Sequence, residues 1–286
     1  MVAPNRLPAQ VPSRMTEQPE PFDLDAYLAR IDYAGKRDAS AKTLHAVHRA
    51  HATHIPFENL DILLGKAVLL DLGSLQTKLV RNRRGGYCFE QNALLAAALE
   101  RLGFPVTRLA ARVRFGTNEV RPRTHMVLKA EADRKSWLCD VGFGGWGLLE
   151  PIELIDGAES KQGAWSFHLR YENDHWILSC PQCPIGADQY VFNLEPQLPV
   201  DYDPPNHFCS THPQSPFTQN VTAQLPTESV RYILRGTELT IADANGVRTE
   251  AIDSATLLNL LRERFGLQFP KETRFQSPND QARQSR

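Results

Sequence analysis

The chain has 286 residues, of which 42% are apolar and 23% charged, close to the average of soluble globular proteins and enough to bury a sizeable core. Its formal net charge of −1 gives no reason to expect a nucleic acid or an anionic membrane as partner. No apolar run reaches membrane-spanning length, and residues 1–21 are rich in proline and lack the apolar segment of a secretion signal. We therefore expect a cytoplasmic protein.

The five cysteines are odd in number and scattered along the chain. This pattern is more typical of free thiols in a reducing cytoplasm than of a disulfide framework. Cys180 and Cys183 have the spacing of a metal-ligand pair, but one such pair without a second is a weak zinc signal. We therefore predict no metal site.

Four histidines recur at every third position of a predicted helix. They are His45, His48, His51 and His54. Steps of three turn backward around a helix, so the four side chains spread over half of its surface and only neighbours could share a ligand. We expect a solvated or partly packed stripe rather than a metal site.

Apolar residues at helical spacing predict four helices in the first third of the chain. The first contains Phe22 to Ile31, the second runs from a cap at Ser40 towards Pro56, the third begins at a cap at Ser74, and the fourth runs from Cys88 to Leu102 before Gly103.

After Pro105 the apolar period changes to two, which predicts strands. The expected strands are 107–115, 124–130, 136–141, 166–171, 175–179, 188–193, 229–235 and 238–243. Residues 199–216 are rich in Pro, Asn, Ser and Asp and are predicted to form a long loop. A last helix is expected from a cap at Ser254 to Gly266. The ends of the chain, 1–21 and 277–286, are predicted to be a disordered arm and tail.

The segment RGGYCFEQN, residues 84–92, predicts a cysteine nucleophile. Two glycines permit a tight turn, so that Cys88 can open the following helix. The positive end of a helix dipole lowers a thiol pKa and favours the reactive thiolate. The alternative, a small buried cysteine, is usual for an arbitrary cysteine, but a Gly-Gly-x-Cys that opens a helix favours the nucleophile.

A cysteine nucleophile needs a base and a group that orients the base. His125 lies on one predicted strand and Asp140 ends the next, so antiparallel pairing could bring them side by side. Taken singly, a strand histidine and a turn-forming aspartate explain them as well. Together with Cys88, the order Cys, His, Asp is that of papain-like and transglutaminase-like enzymes.

The turn after Asp140 reads VGFGG. Gly142, Gly144 and Gly145 leave backbone N–H groups unobstructed and could form an anion-binding nest, although a plain hairpin turn explains them equally. Phe143 could present an aromatic face to a cleft.

These segments together resemble the arylamine N-acetyltransferases. The matching stretches are HIPFENLDILL (54–64), RGGYCFEQN (84–92), THMVL (124–128), DVGFGG (140–145) and NHFCSTHPQSPF (206–217). The resemblance implies an α+β fold with a papain-like cysteine-triad core. It divides the chain into a helical bundle (22–104), a β-barrel-like domain (105–200) and an interdomain loop with a small α/β lid (201–276).

The resemblance also implies the roles of individual residues. Cys88, His125 and Asp140 form the catalytic triad, and the glycine turn at 142–145 meets the pyrophosphate of acetyl-CoA. Phe143 and Phe217 form walls of an aryl pocket, and Arg84 and Glu90 support the nucleophile turn. The implied reaction moves an acetyl group from acetyl-CoA to arylamines or aryl hydrazines, with no permanently bound cofactor.

Two alternatives remain open at this point. A cysteine peptidase or transglutaminase-like enzyme could use the same triad on protein substrates. A binding module could have kept the fold without catalysis, although the intact triad argues against that.

Overall fold

Helices fill the first third of the protein and antiparallel strands most of the remainder, so the fold is α+β. The computed structural model describes residues 22–276 except 116, 118 and 185. The predicted arm (1–21) and tail (277–286) lie outside the described residues. Among the helices of the described part, none has the length and apolar character that a membrane span requires.

The helices of the first third begin close to where the sequence predicts. They are α1 (Leu24–Arg30), α2 (Ala41–His54), α3 (Leu60–Leu63), α4 (Leu72–Leu75), a π-helix (Gln76–Arg81) and α5 (Cys88–Arg101), with a two-residue strand, β1 (Phe57–Glu58), between α2 and α3. Ser40 caps α2 as expected, because its hydroxyl accepts the N–H of Thr43 at 3.3 Å.

The third helix begins earlier than predicted. Asp71 caps α4, since its carboxylate accepts the N–H of Ser74 at 2.9 Å. The prediction that Ser74 is the cap is therefore wrong, because an acceptor with a full negative charge stands three residues before it. The π-helix follows α4 directly and buries Leu79 and Val80, as the apolar spacing requires.

Eight antiparallel strands form a nearly closed, barrel-like sheet. They are β2 (Val106–Val113), β3 (His125–Ala132), β4 (Lys135–Cys139), β5 (Ile152–Glu153), β6 (Ala158–Gln162), β7 (Trp165–Glu172), β8 (His175–Ser179) and β9 (Asp188–Phe192). Their order in the sheet is β5-β4-β3-β2-β9-β8-β7-β6. Two of these strands escape prediction because β5 has only two residues and β6 is mostly polar, so neither has a clear apolar period.

The last third contains a second antiparallel sheet and two helices. Its elements are a 3₁₀ turn (Pro199–Tyr202), α6 (Asp203–Thr211), a second 3₁₀ turn (Pro216–Thr218), β10 (Thr222–Pro226), β11 (Arg231–Arg235), β12 (Glu238–Asp243), β13 (Gly246–Ala251) and α7 (Leu257–Phe265). The sheet has the order β1-β10-β11-β12-β13, so a strand from the helical part completes it.

Two predictions for this part are wrong. Residues 199–216 are largely helical rather than a loop, because Pro204 and Pro205 lie in the first turn of α6, where proline is tolerated. The last helix begins at Leu257 after Thr256, without a side-chain cap, rather than at a cap at Ser254. It ends as predicted at Gly266, which has a φ of 67° and so needs the conformational freedom of glycine.

The free-thiol prediction is wrong for two of the five cysteines. Cys180 and Cys183 form a disulfide in the connection from β8 to β9, where their Cα atoms lie 5.4 Å apart. Both side chains are buried among the aromatic residues inside the barrel-like sheet. Cys88, Cys139 and Cys209 are free.

Helix α5 is anchored in the largest apolar core. Its residues Leu94, Leu95 and Leu99 are fully buried in the cluster that joins the helices to one face of β3. This burial fixes the axis of the helix that Cys88 opens, and it relates that axis to the strand that begins at His125.

Replacing Leu99 with Ala should lower the free energy of unfolding by about 2–5 kcal/mol, because it leaves a cavity in this core. Urea unfolding measures the effect. Arg101→Ala, at an exposed position of the same helix, is the matched control and should change stability by less than about 0.5 kcal/mol. Equal losses for the two variants would contradict the anchoring of α5.

Candidate active site

Cys88 is the first residue of α5, as the sequence predicts. The two preceding glycines are needed because other groups approach them closely. A side chain at Gly85 would collide with the carbonyl oxygen of Pro56, and one at Gly86 would meet the carboxylate of Glu90 at 2.6 Å. That carboxylate accepts the N–H of Tyr87 at 3.1 Å and so holds the start of the helix.

Ion pairs stabilise the turn that precedes Cys88. Arg84 contacts Glu58 at 2.6 Å and Asp61 at 3.1 Å. Lys78 bridges Asp61 at 3.1 Å and Glu90 at 2.7 Å. Arg84 and Glu90 therefore lie in a network that joins the turn to β1 and α3, which is consistent with the supporting role that the sequence suggests.

His125 and Asp140 form a buried pair. The Nε2 atom of His125 lies 2.7 Å from Oδ2 of Asp140, and the side chains are 3% and 0% exposed. His125 is the first residue of β3, and Asp140 follows the β4 residue Cys139, which pairs with Leu128. Antiparallel pairing thus brings the two side chains together, as the sequence suggests.

The geometry of this pair fixes what the imidazole can do. A carboxylate only accepts, so Nε2 of His125 carries the proton that it donates to Asp140. The other ring nitrogen, Nδ1, is then left as the basic atom of the neutral ring. His125 and Cys88 border the same cavity.

The Cys88 thiol donates to the carbonyl oxygen of Thr124 at 3.6 Å. Burial raises the pKa of this thiol well above its ordinary value, an effect that nearby N–H groups of Met126 and Phe89 reduce. The sequence predicts a lowered pKa from the helix dipole, but desolvation outweighs that effect in the closed site. The thiol therefore depends on a base to remove its proton.

Asn92 joins the nucleophile helix to the carboxylate. Its Nδ2 group donates to Oδ1 of Asp140 at 2.9 Å and to the carbonyl of Met126 at 2.7 Å. Its Oδ1 accepts the N–H of Val141 at 3.1 Å. Asn92 lies one helical turn after Cys88, and this spacing is the signal in the sequence that could have identified it.

His48 contacts Asp140 from the opposite side. Its Nε2 accepts the backbone N–H of Asp140 at 3.0 Å, and its Nδ1 donates to the carbonyl of Leu149 at 2.9 Å. The ring is therefore neutral, and burial lowers its pKa to about 4. Of the predicted histidine stripe, His48 and His51 are fully buried and only His54 is exposed. The four do not act alike, and sequence reasoning missed the contact of His48 with Asp140.

Burial alone would raise the pKa of the Asp140 carboxyl. The imidazole of His125 and hydrogen bonds from Asn92 and from the N–H of Gly142 outweigh it, and the pKa lies below its ordinary value. Asp140 is therefore ionised in the folded protein at neutral pH, and its charge can stabilise an imidazolium.

The glycine turn is packed tightly from both sides. A Cβ on Gly142 would lie 2.7 Å from Cα of Cys88 and 2.6 Å from Nδ2 of Asn92. The N–H of Gly142 donates to Asp140 at 2.8 Å, and that of Gly145 donates to Gln224 at 2.7 Å. Gly142, Gly144 and Gly145 are buried. Two N–H groups of the predicted anion nest thus already have acceptors within the protein.

A cavity of about 900 Å³ opens beside Cys88 and His125. Cys88, His125 and both predicted aryl-wall residues, Phe143 and Phe217, border it. The ring of Phe143 lies edge-on to the imidazole, with centroids 5.4 Å apart. Phe217 packs on Tyr87 with centroids at 5.5 Å. Among the described residues, no group of three or more His, Cys, Asp or Glu side chains is arranged to hold a metal ion.

Comparisons with known proteins identify acetyltransferases as similar to this chain. A sequence model described as N-acetyltransferase matches residues 40–274. The chain is 38% identical over 254 residues to the arylamine N-acetyltransferase of Mycolicibacterium smegmatis, covering 86% of this chain and 92% of that protein.

Solved structures agree with this finding. The arylamine N-acetyltransferase of Nocardia farcinica superposes with a TM-score of 0.83 at 42% identity, covering 87% of this chain and 90% of that one. The enzyme of Mycobacterium marinum, solved in complex with CoA, has a TM-score of 0.81 at 33% identity, covering 85% of this chain and 92% of that one.

Replacing Gly142 with Ala should slow the predicted acylation of Cys88 by acetyl-CoA at least about tenfold, because the added methyl group displaces Cys88 or Asn92. Intact mass against time measures the rate, and circular dichroism checks the fold. Gly73→Ala, whose Cβ would meet only Asp71 at 3.4 Å, is the control. Normal acylation in Gly142→Ala would contradict the close packing of turn and nucleophile.

The buried neutral His48 should make stability fall in acid. Its pKa is about 4 when folded and about 6.5 when unfolded, so between these values the unfolded chain binds more protons. Stability is therefore lost as the pH falls from about 6.5 to about 4, by on the order of 3 kcal/mol from this residue. Urea unfolding at several pH values measures the slope.

His48→Gln should reduce that pH dependence, because glutamine does not titrate. His54→Gln, at an exposed position of the same helix, is the control for replacing a histidine of α2. An unchanged slope in His48→Gln would show that His48 does not bind protons on unfolding.

Proposed function

The chain belongs to the arylamine N-acetyltransferase family, and we propose that it carries an acetyl group from acetyl-CoA on Cys88 to an aromatic amine. Cys88 is the nucleophile, His125 the base and Asp140 the group that orients the base. One observation carries this assignment: His125, which is paired with the buried Asp140, borders the same cavity as a cysteine at a helix start.

The first half-reaction forms the acyl-enzyme. Nδ1 of His125 takes the thiol proton of Cys88, and the sulfur attacks the thioester carbonyl of acetyl-CoA. Asp140 stabilises the resulting imidazolium. The tetrahedral intermediate collapses with loss of the CoA thiolate, which takes the proton back from the imidazolium. The thioester that breaks and the one that forms are nearly equal in energy, so acetyl-Cys88 can accumulate.

The developing oxyanion needs hydrogen-bond donors. The first N–H groups of a helix have no partner within the helix, and α5 begins at the nucleophile itself. We assign the oxyanion to N–H groups at this helix start, including that of Cys88.

The second half-reaction explains the choice of acceptor. An alkyl amine has a pKa near 10.4, so at neutral pH only on the order of one molecule in a thousand is an unprotonated nucleophile. An aromatic amine is almost wholly unprotonated. The rings of Phe143 and Phe217 offer flat apolar walls, which suit an aryl group and not a charged head. The amine attacks acetyl-Cys88, loses its proton to His125, and leaves the free thiol in a ping-pong cycle.

Finer features of the proposal rest on the family resemblance. They are the papain-like arrangement of the triad, the limits of the helical bundle (22–104), the barrel-like domain (105–200) and the lid (201–276), and a cytoplasmic location. The CoA complex of the Mycobacterium marinum relative supports acetyl-CoA as the donor. The predicted contact of the glycine turn with its pyrophosphate stays a prediction.

Acetyl-CoA without an acceptor should add one acetyl group to Cys88, because deacylation needs the amine. Intact mass and peptide mapping locate it. Cys88→Ala should lose the adduct, while Cys139→Ala, which changes a buried thiol outside the cavity, should keep it. An adduct on another cysteine would falsify the nucleophile assignment, and a peptidase would leave acetyl-CoA untouched.

Adding an aniline to the isolated acyl-enzyme at pH 7 should restore the free thiol much faster than adding an alkyl amine of similar size. Equal deacylation by the two amines would refute the aryl preference and leave the acyl-cysteine chemistry standing.

Asp140→Asn should slow acylation by orders of magnitude, because it favours the wrong tautomer of His125.

A further inference from the structure

We propose that Arg121 and Arg235 form the anion-binding end of the active-site cavity and hold the phosphate groups of the acetyl donor. The inference rests on the proposed function, since it assigns the donor's phosphates to residues at the same site.

Two arginines supply the positive charge of the cavity wall. Apart from the titratable ring of His125, Arg121 and Arg235 supply the charged side chains among the described residues that border it, and no carboxylate does. The remaining wall is mainly aromatic, aliphatic or neutral polar. An oxygen-rich anion is therefore the ligand that these two side chains favour.

Both guanidinium groups are available to a ligand. Neighbouring arginines are paired, Arg114 with Asp188 and Arg123 with Glu195, each at 2.9 Å. Arg121 and Arg235, in contrast, make no ion pair with any carboxylate in the part of the chain that the structure describes. The guanidinium of Arg235 lies 5.8 Å from the ring centroid of Phe115, and its planar set of N–H donors matches the geometry of phosphate.

A row of aromatic rings connects Arg235 to the imidazole of His125. Phe115 lies 5.2 Å from Phe143, and Phe143 lies 5.4 Å from His125, measured between ring centroids. Together with the 5.8 Å step from Arg235 to Phe115, these contacts set an upper limit on the distance from guanidinium to imidazole. The pantetheine arm of CoA is about as long as four or five extended residues, roughly 15 Å. A thioester at Cys88 can therefore place its diphosphate near Arg235.

The glycine turn offers less to a phosphate than its sequence suggests. The N–H of Gly142 is bonded to Asp140 and that of Gly145 to Gln224. Arginine, by contrast, donates two parallel hydrogen bonds to phosphate and keeps its charge at any physiological pH. The two arginines at the cavity are thus the better-placed donors.

The test compares two acetyl donors that differ in the phosphates. Acetyl-CoA carries them, and S-acetylpantetheine has the same thioester and arm without them. Arg121→Gln and Arg235→Gln remove the charge and keep a polar side chain. Arg123→Gln, which breaks the pair with Glu195 outside the cavity, is the matched control.

For acetyl-CoA, each variant should raise KM at least about tenfold with little change in kcat, the loss of a hydrogen bond to a charged group. The acylation rate with S-acetylpantetheine should change less than about twofold, and Arg123→Gln should behave as wild type with both donors. Adding salt should raise the wild-type KM for acetyl-CoA and affect the variants less.

Equal losses with both donors would overturn the proposal, because the arginines would then act on the fold or on the thioester end. A defect confined to deacylation by p-aminobenzoate, with aniline unaffected, would also overturn it by assigning the site to an acceptor carboxylate. Failure of the wild-type protein to form acetyl-Cys88 with either donor would instead contradict the proposed function.

Discussion

The buried carboxylate of Asp140 is the constraint on which the rest of the site depends. A charge without water is costly unless every lone pair is satisfied. Here Oδ1 accepts from Asn92 and Gly142, and Oδ2 lies against His125. The backbone N–H of the same residue is bonded to His48. Partners from α2, α5, β3 and the glycine turn must all be in place, so the charge fixes how the helices meet the barrel-like sheet.

The glycine turn after Asp140 is also hydrogen-bonded to the second antiparallel sheet. Gln224 of β10 accepts the N–H of Gly145, and Arg231 of β11 donates to the carbonyls of Gly145 and Gly147 at 3.2 and 3.0 Å. Arg231 is fully buried and stacks on Trp165, and burial lowers its pKa to about 9. Strands far along the chain thus hold the loop that places Gly142 against Cys88.

The sequence predicted the parts of the site that depend on local pattern. Cys88 after two glycines and Asp140 at a strand end each lie in a short motif whose geometry follows from neighbours in the chain. His48 could not be found this way, because its contact with Asp140 spans 92 positions. The occupied N–H groups of Gly142 and Gly145 were missed for a related reason: a sequence shows which donors are unobstructed, but their acceptors are set by folding.

Errors in the predictions of the fold have similar physical causes. Residues 203–211 contain two prolines and were predicted as a loop, but proline in a first helical turn loses no hydrogen bond. The Cys180–Cys183 disulfide depends on how β8 returns into β9, which the spacing alone does not determine. Two long-range features of the fold, the pairing of β1 with β10 and the order of the strands in each sheet, could not be predicted from the apolar period.

The pairing of β1 with β10 has a consequence for the way the enzyme is made. β1 hydrogen-bonds to β10 on one edge, and its residues Phe57 and Glu58 also contact Gly86, two residues before Cys88. Oδ1 of Asn59 accepts the N–H of Thr222, and Nδ2 of Asn59 donates to the carbonyl of Asn220. Each of these bonds spans more than 160 positions. Contacts of such separation form late, after the cost of closing a long loop. On the ribosome, β1 beside the turn before Cys88 therefore lacks its pairing with β10 until β10 has been synthesised. A nascent chain halted earlier carries Cys88 in an incomplete site.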